Sequence, residues 1–171
     1  MTERSRQKEK TMKILVISDT HGHIEEAERI YNEGDFDMVV HLGDIYDDAL
    51  MIERDTGARV VAVRGNMDMD YSPTNYRVLK TDFGRILLVH GHREKVKRGL
   101  MNLIYRANEM DCEAVFFGHT HQALYDEADG LILLNPGSLT YPYGYGAAPS
   151  YAVVEISEDG DFNAEIIELR D

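Results

Sequence analysis

The chain has 171 residues, 43% of them apolar, and a formal net charge of −13. That length describes one domain able to bury a core without disulfides or a structural metal, and the single Cys112 has no partner in the chain, which suits a reducing cytosol. The acidity argues against a general affinity for nucleic acid, which depends on cations displacing counterions from phosphate. No apolar run approaches the ~20 residues of a membrane span or forms the core of a signal peptide, so the expectation is a soluble, cytoplasmic protein with neither a membrane partner nor a stable nucleic-acid complex.

Residues 1–11, MTERSRQKEKT, are polar, mixed in charge and free of apolar periodicity, and are predicted to be a disordered arm. Met12, a second candidate start, opens a single domain over 12–171. Strand 13–18 leads to an amphipathic helix about 24–32, strand 38–42, a helix about 47–54 and strand 60–63, an alternation that predicts a parallel sheet. Beyond Pro73 the rhythm changes: 76–81 and 85–90 flank Asp82-Phe83-Gly84 as a hairpin, and a helix about 97–110 precedes strand 114–117. Segments 124–127 and 131–134 flank Ala128-Asp129-Gly130, and 151–156 and 164–169 flank Glu158-Asp159-Gly160-Asp161, giving two more hairpins. Two mixed sheets packed face to face with helices outside are the predicted architecture.

Five of these strands end, within a residue or two, on a side chain able to bind a metal. Asp19 and His21 follow the first, Asp44 the second and Asn66 the third; His90 closes the fifth, and His119 and His121 follow the sixth. In open α/β sheets the crevice outside the carboxyl ends of the strands is where ligands bind, so groups delivered there converge. Asp19-Thr20-His21 places carboxylate and imidazole two residues apart in an extended turn, where alternate residues share a face. Gly43-Asp44 and Gly65-Asn66 read equally well as plain turns. His90-Gly91-His92 and Gly118-His119-Thr120-His121 are more telling, because a buried imidazole needs partners for both ring nitrogens, and a metal with a hydrogen-bond acceptor behind it supplies them. Donors that are oxygen and nitrogen without cysteine favour borderline-hard ions such as Mn²⁺, Fe²⁺, Zn²⁺ or Ni²⁺.

The ordered set D-x-H, G-D, G-N, H-G-H, G-H-T-H and Asn135-Pro136-Gly137-Ser138 resembles the calcineurin-like metallophosphoesterase superfamily, and within it the small YfcE-like phosphodiesterases. The likeness runs from Met12 to Ser138. It implies a four-layer α/β/β/α sandwich of two mixed β-sheets flanked by helices, the metallo-dependent phosphatase fold, with two divalent ions at the strand ends, manganese being the first choice. It implies further that Asp19, His21, Asp44 and His121 hold one ion and Asp44, Asn66, His90 and His119 the other, with Asp44 bridging. A hydroxide shared by ions ~3.5–4 Å apart would attack a small or nucleotide-like phosphodiester in line.

The chain departs from many superfamily members at Gly65-Asn66-Met67-Asp68, where a histidine commonly follows the asparagine to protonate the leaving group. Methionine donates no proton, and general acid catalysis is typically worth about 10²–10⁴ in rate, so turnover is expected to be modest and to favour leaving groups that depart as stable anions. His23, His41 and His92 are expected to support the ligands or the fold, with His92 the one closest to substrate. Asp68 reads equally as a brace for a ligand and as an ordinary surface aspartate.

Arg93, Lys95, Lys97 and Arg98 form a basic run in an acidic chain, readable as phosphate steering led by Arg93 or as a solvated helix start. Tyr141, Tyr143 and Tyr145 alternate with Pro142, Gly144 and Gly146. They are readable as a stacking surface, Tyr143 foremost, or as a homo-oligomer contact. The alternatives to a phosphodiesterase are a phosphomonoesterase and, from another class, an interaction scaffold resembling the retromer small subunit. Gln122 and Ala123 stand where a metallo-β-lactamase-like H-x-H-x-D-H would need Asp and His, and no duplex groove marks a nuclease.

Overall fold

A computed structural model of the chain describes residues 10–68 and 75–170. Residues 1–9 of the expected arm, and Pro73, lie outside them. Strand β1 begins at Thr11, ahead of the expected Lys13, because its first residues pair with β9 at the far end of the chain.

Among the described residues ten strands form two five-stranded mixed sheets. The first has the order β10-β9-β1-β2-β3, from β1 (Thr11–Ile17), β2 (Met38–His41), β3 (Val60–Ala62), β9 (Ser150–Ser157) and β10 (Phe162–Glu168). The second runs β4-β5-β6-β8-β7, from β4 (Tyr76–Lys80), β5 (Arg85–Val89), β6 (Ala114–Phe116), β7 (Ala123–Ala128) and β8 (Leu131–Pro136). Within the first sheet β1, β2 and β3 are parallel, and within the second β5, β6 and β8 are. The hairpins β4–β5, β7–β8 and β9–β10 close antiparallel, as their turn signals predict.

Side chains of a strand alternate between faces, and here both faces are covered. Ile14, Val16, Met38 and Val40 from one sheet meet Ile86, Leu88, Ala114 and Phe116 from the other in the central layer. The intervening residues face outward onto helices. Leu15, Ile17 and Val39 pack with Ala27 and Ile30 of α1 (Glu25–Glu33) and Ile52 of α2 (Tyr46–Thr56). Leu87, Val89, Val115 and Phe117 pack with Leu103 and Ala107 of α3 (Met101–Glu109). The result is the four-layer α/β/β/α sandwich. No helix among the described residues is long and apolar enough to cross a membrane.

One expected element is divided. The helix predicted over 97–110 is a short 3₁₀ turn at Val96–Arg98 followed, after a break, by α3 from Met101. Gly99 sits between them at φ +140°, a conformation closed to a continuing helix and open to glycine.

Candidate metal centre

The carboxyl ends of β1, β2, β3, β5 and β6 open on one edge of the sandwich, and the loops after them turn sharply. Among the described residues nine non-glycine positions have positive φ, and five are Asp19, His21, Asp44, His119 and His121; Ile45 at 72° is a sixth position in the same loops. A β-branched residue there is a genuine outlier, and each such position costs on the order of 1–3 kcal/mol. The strain turns the side chains of successive loops inward to one crevice.

Two glycines make the approach possible. A Cβ on Gly118 would collide with Ser18 Oγ and lie 2.9 Å from Asp19 Oδ2, and one on Gly65 would collide with the backbone of Asp44. The loop after β6 thereby closes on that after β1, and the loop after β3 on that after β2.

All seven expected ligands meet in this crevice. Asp19 is fully buried; its Oδ2 accepts from the Ser18 hydroxyl at 2.6 Å and from His119 N–H at 3.0 Å. Its Oδ1 is enclosed with no well-formed hydrogen bond, 3.3 Å from His121 Nε2 and 3.7 Å from His90 Nε2. Asp44 reaches His21 Nε2 at 3.9 Å and His90 Nε2 at 3.6 Å. The Asn66 amide oxygen is 2.9 Å from His90 Nε2, and that terminus also lies about 3 Å from His119 Nδ1 and both Asp44 oxygens. His21 Nε2 and His121 Nε2 stand 3.4 Å apart, and His119 Nδ1 is 3.2 Å from His90 Nε2.

The tautomers follow from the partners. His90 Nδ1–H donates to the Leu42 carbonyl at 2.7 Å, and His121 Nδ1–H donates to the Tyr141 carbonyl at 2.7 Å. In each neutral ring the bare Nε2 lone pair therefore points into the crevice. Lone pairs facing lone pairs around an orphaned carboxylate oxygen are repulsive unless protons or cations lie between them, so the donor set fits divalent metal. Among the described residues two trios have all donor atoms within 4.8 Å of one another: Asp19, His21 and His121, and Asp19, Asp44 and His90. Asp19 belongs to both, while Asp44 also touches a histidine on either side.

The titration of these groups reflects the same crowding. Burial alone would raise Asp19, but the His121 ring, the neighbouring His90 ring and the Ser18 hydroxyl outweigh it and hold the carboxyl at about 2. The same contact with Asp19, set against burial, raises His121. Burial and the neighbouring His90 lower His119 to about 4, which leaves it neutral and fit to ligate at pH 7.

Around this centre the remaining predicted residues take distinct places. Asp68 is a brace: its Oδ1 accepts from Tyr46 N–H at 2.6 Å and its Oδ2 from Gly65 N–H at 2.8 Å, tying the Asp44 loop to the Asn66 loop. Fully buried His41 accepts from Gly43 N–H at 3.1 Å and lies 2.9 Å from Thr20 Oγ1, which donates to Asp48 Oδ2 at 2.5 Å. His92 packs its ring 5.4 Å from that of His90 and 6.1 Å from that of His119. His23 is outside the crevice, against Tyr141.

The basic run is not one face. The turn through 92–95 and the 3₁₀ segment after it send Lys97 to the cleft beside His119 and His121, and Lys95 and Arg98 to a separate shallow depression. Arg93, the expected leader, is exposed and does not line the cleft; Lys97 does. That cleft, of about 570 Å³, is walled by Tyr141, Pro142 and Tyr143.

Several supports escaped the sequence. Asn135 Nδ2 donates to the Gly118 carbonyl and Thr120 Oγ1, and Ser138 Oγ donates to the Asp19 carbonyl at 2.8 Å while accepting from Tyr141 N–H. The N-P-G-S turn thus clamps the first histidine loop to the last; the motif was visible, its role was not.

Comparison with known proteins agrees with this geometry. Residues 12–159 match the family model described as "Calcineurin-like phosphoesterase superfamily domain". The chain is 32% identical over 150 residues to "Probable metallophosphoesterase YsnB" of Bacillus subtilis, covering 86% of each, and 27% identical over 169 residues to "Phosphodiesterase YfcE" of Escherichia coli, covering 84% and 88%. A Streptococcus pneumoniae protein described as a predicted phosphoesterase superposes with TM-score 0.78 at 27% identity, covering 94% of this chain and 91% of that one. Wild-type Vps29 of Entamoeba histolytica complexed with Zn²⁺ superposes with TM-score 0.70 at 26% identity, covering 92% and 99%.

Proposed function

Because the chain belongs to the calcineurin-like phosphoesterase superfamily, we propose that it is a metal-dependent phosphodiesterase acting on a small or nucleotide-like phosphodiester. The observation that carries the reading is the convergence of Asp19, His21, Asp44, Asn66, His90, His119 and His121 on one crevice around the unpartnered Asp19 Oδ1. In this reading Asp19, His21, Asp44 and His121 hold one ion and Asp44, Asn66, His90 and His119 the other, with Mn²⁺ the first candidate and Ni²⁺, Fe²⁺ and Zn²⁺ behind it. A pair of divalent ions supplies Lewis acidity and an activated water for in-line displacement at phosphorus.

The chain's own residues do the rest. Leu42 and Tyr141 carbonyls hold His90 and His121 in the ligating tautomer. Lys97 places a cation beside His119 and His121, where a phosphodiester's single negative charge would lie. Met67 donates its backbone N–H to Asp44 Oδ1 at 2.9 Å, but its side chain, 64% exposed, has no proton to give a departing alkoxide. The substrates best served are therefore esters whose leaving group departs as a stable anion. Phosphomonoesters carry a second charge that a single lysine answers less well, which ranks them second.

A scaffold reading draws support from the likeness to Vps29 bound to Zn²⁺, since a filled site is not in itself turnover. The test is hydrolysis of bis(p-nitrophenyl) phosphate and p-nitrophenyl phosphate by metal-stripped protein reloaded with Mn²⁺, Ni²⁺ or Zn²⁺, comparing wild type with Asp44→Asn and His119→Ala. The expected result is faster diester cleavage, with each variant slower by about 10²–10³, the usual scale for removing one electrostatic contributor from a site. Metal binding without turnover in any protein would overturn the enzyme in favour of the scaffold.

A further inference from the structure

We infer that Tyr143 and Gln122 form a nucleobase subsite beside the metal centre, so that the substrate class is a nucleoside phosphodiester; this rests on the phosphodiesterase reading above. Three tyrosines crowd the loop after the N-P-G-S turn, and they are not equivalent. Tyr141 is already engaged: its ring meets His21 at 5.5 Å and 71° and His23 at 6.0 Å and 78°, and its backbone is clamped by Ser138 and His121. Tyr145 is fully solvated. Tyr143 differs from both. Its backbone N–H donates to the His121 carbonyl at 3.0 Å, which anchors it beside an expected ligand, yet the residue is 69% exposed and its ring packs on no other ring among the described residues.

The cavities explain what that ring faces. The cleft of about 570 Å³ and a neighbouring one of about 350 Å³ share His121, Gln122 and Tyr143, so Tyr143 is a wall common to both. The two compartments differ in charge. Lys97 lines the larger, beside the histidines, whereas in the smaller Glu168 is already ion-paired with Arg170 at 2.7 Å, whose guanidinium also donates to the Gly146 carbonyl at 3.5 Å. A phosphate gains a cation in the first and meets an already balanced pair in the second, so the arm extending from phosphorus past Tyr143 should be uncharged. An uncharged planar group takes most from a bare aromatic face, and base–aromatic stacking tolerates any base.

Gln122 adds an edge to that face. Its backbone N–H is bound to Thr120 Oγ1 at 3.2 Å, but its side-chain amide makes no hydrogen bond among the described residues. A free amide offers one donor side and one acceptor side, the pairing by which glutamine reads adenine. Thr120 offers no rival, because its hydroxyl is occupied by Asn135 Nδ2 and by the Gln122 backbone. An alkyl arm would use neither the ring nor the amide, and a glycerol arm, whose hydroxyls could meet the amide, would leave the ring face unused.

The experiment compares two esters with the same leaving group on the Mn²⁺-loaded full chain: adenosine 5′-(p-nitrophenyl phosphate) and methyl p-nitrophenyl phosphate. Binding of adenosine 5′-monophosphate is followed in parallel by calorimetry. Tyr143→Ala is expected to raise KM for the adenosine ester about tenfold or more, the scale of one lost stack, with a much smaller change for the methyl ester. Tyr143→Phe should restore it, and Gln122→Ala should act more weakly and on the adenosine ester alone. Equal responses of the two esters to Tyr143→Ala would overturn the subsite and leave the phosphodiesterase standing. Tyr143-dependent binding of adenosine 5′-monophosphate without hydrolysis of either ester would keep the subsite and remove the enzyme.

Discussion

The central layer between the sheets and the crevice at its edge are built from the same strands, two to four residues apart, and obey opposite rules. Ile14 and Val16 lie in the dry layer and Asp19 in the crevice; Met38 and Val40 are succeeded by Asp44, Leu88 by His90, and Phe116 by His119. In the layer, regular backbone buries only apolar side chains. In the crevice, left-handed backbone buries two carboxylates among bare imidazole nitrogens. Buried carboxylates and backbone strain are tolerated there because the well-packed layer beside them supplies the stability.

Truncating each region should therefore have opposite effects. Phe116→Ala removes a fully buried ring and is expected to cost about 3–5 kcal/mol in denaturant unfolding. Asp44→Asn, measured in the same way on metal-free protein, should cost nothing or stabilise, because it removes one of two carboxylates in a trio and keeps an oxygen to accept from Met67 N–H. Adding Mn²⁺ should then raise the stability of wild type well above that of Asp44→Asn, since a ligand stabilises only the state it binds. An Asp44→Asn variant as damaged as Phe116→Ala in the absence of metal would erase the contrast between layer and crevice.

Asp68 joins two crevice loops to each other and sharpens the comparison at an intermediate scale. Its two oxygens hold Tyr46 and Gly65, the backbone next to Asp44 and Asn66, without belonging to the expected ligand set. Asp68→Ala should weaken Mn²⁺ binding about 10- to 100-fold, the usual cost of losing a group behind the ligands, with thermal unfolding little changed. Asp68→Asn, which retains one acceptor, should fall between. If Mn²⁺ affinity in Asp68→Ala matched wild type, the brace would be a surface ornament.

What was legible in the sequence divides along the same line. The layered architecture followed from strands whose alternate residues are both apolar, since such runs must be covered on each face. The convergence of the seven side chains followed from their placement at strand ends, because parallel topology brings those ends together whatever the loops contain. Supports supplied by tertiary contact were hidden. Ser138 bonds to the Asp19 carbonyl across 119 residues, and Asp48 receives Thr20 across 28; nothing in a lone serine or aspartate announces this. The helix extended over Gly99 failed at the turn through 92–99, where backbone direction also sends Lys97, and not Arg93, to the cleft.

The smallest effect concerns His41, which stands between the two regions as a polar group in β2 beneath the crevice. Burial lowers its pKa from 6.5, more than the nearby Asp48 and Asp19 carboxylates can restore. The folded protein therefore keeps this ring neutral, while the unfolded chain protonates it below about 6.5. The stabilisation is complete above that pH and is lost as pH falls through the range below it, at a rate of at most about 1.4 kcal/mol per pH unit from one proton. His41→Gln should flatten the acid limb of the metal-free stability curve by this one proton and leave the limb above pH 7 parallel to wild type. His92 and His119 keep their own contributions in both proteins, so the difference between the curves belongs to His41. Parallel acid limbs would mean that the ring enters the fold already charged, and that Thr20 Oγ1, 2.9 Å from its Nε2, is not the neutral partner which the bond to Asp48 makes it.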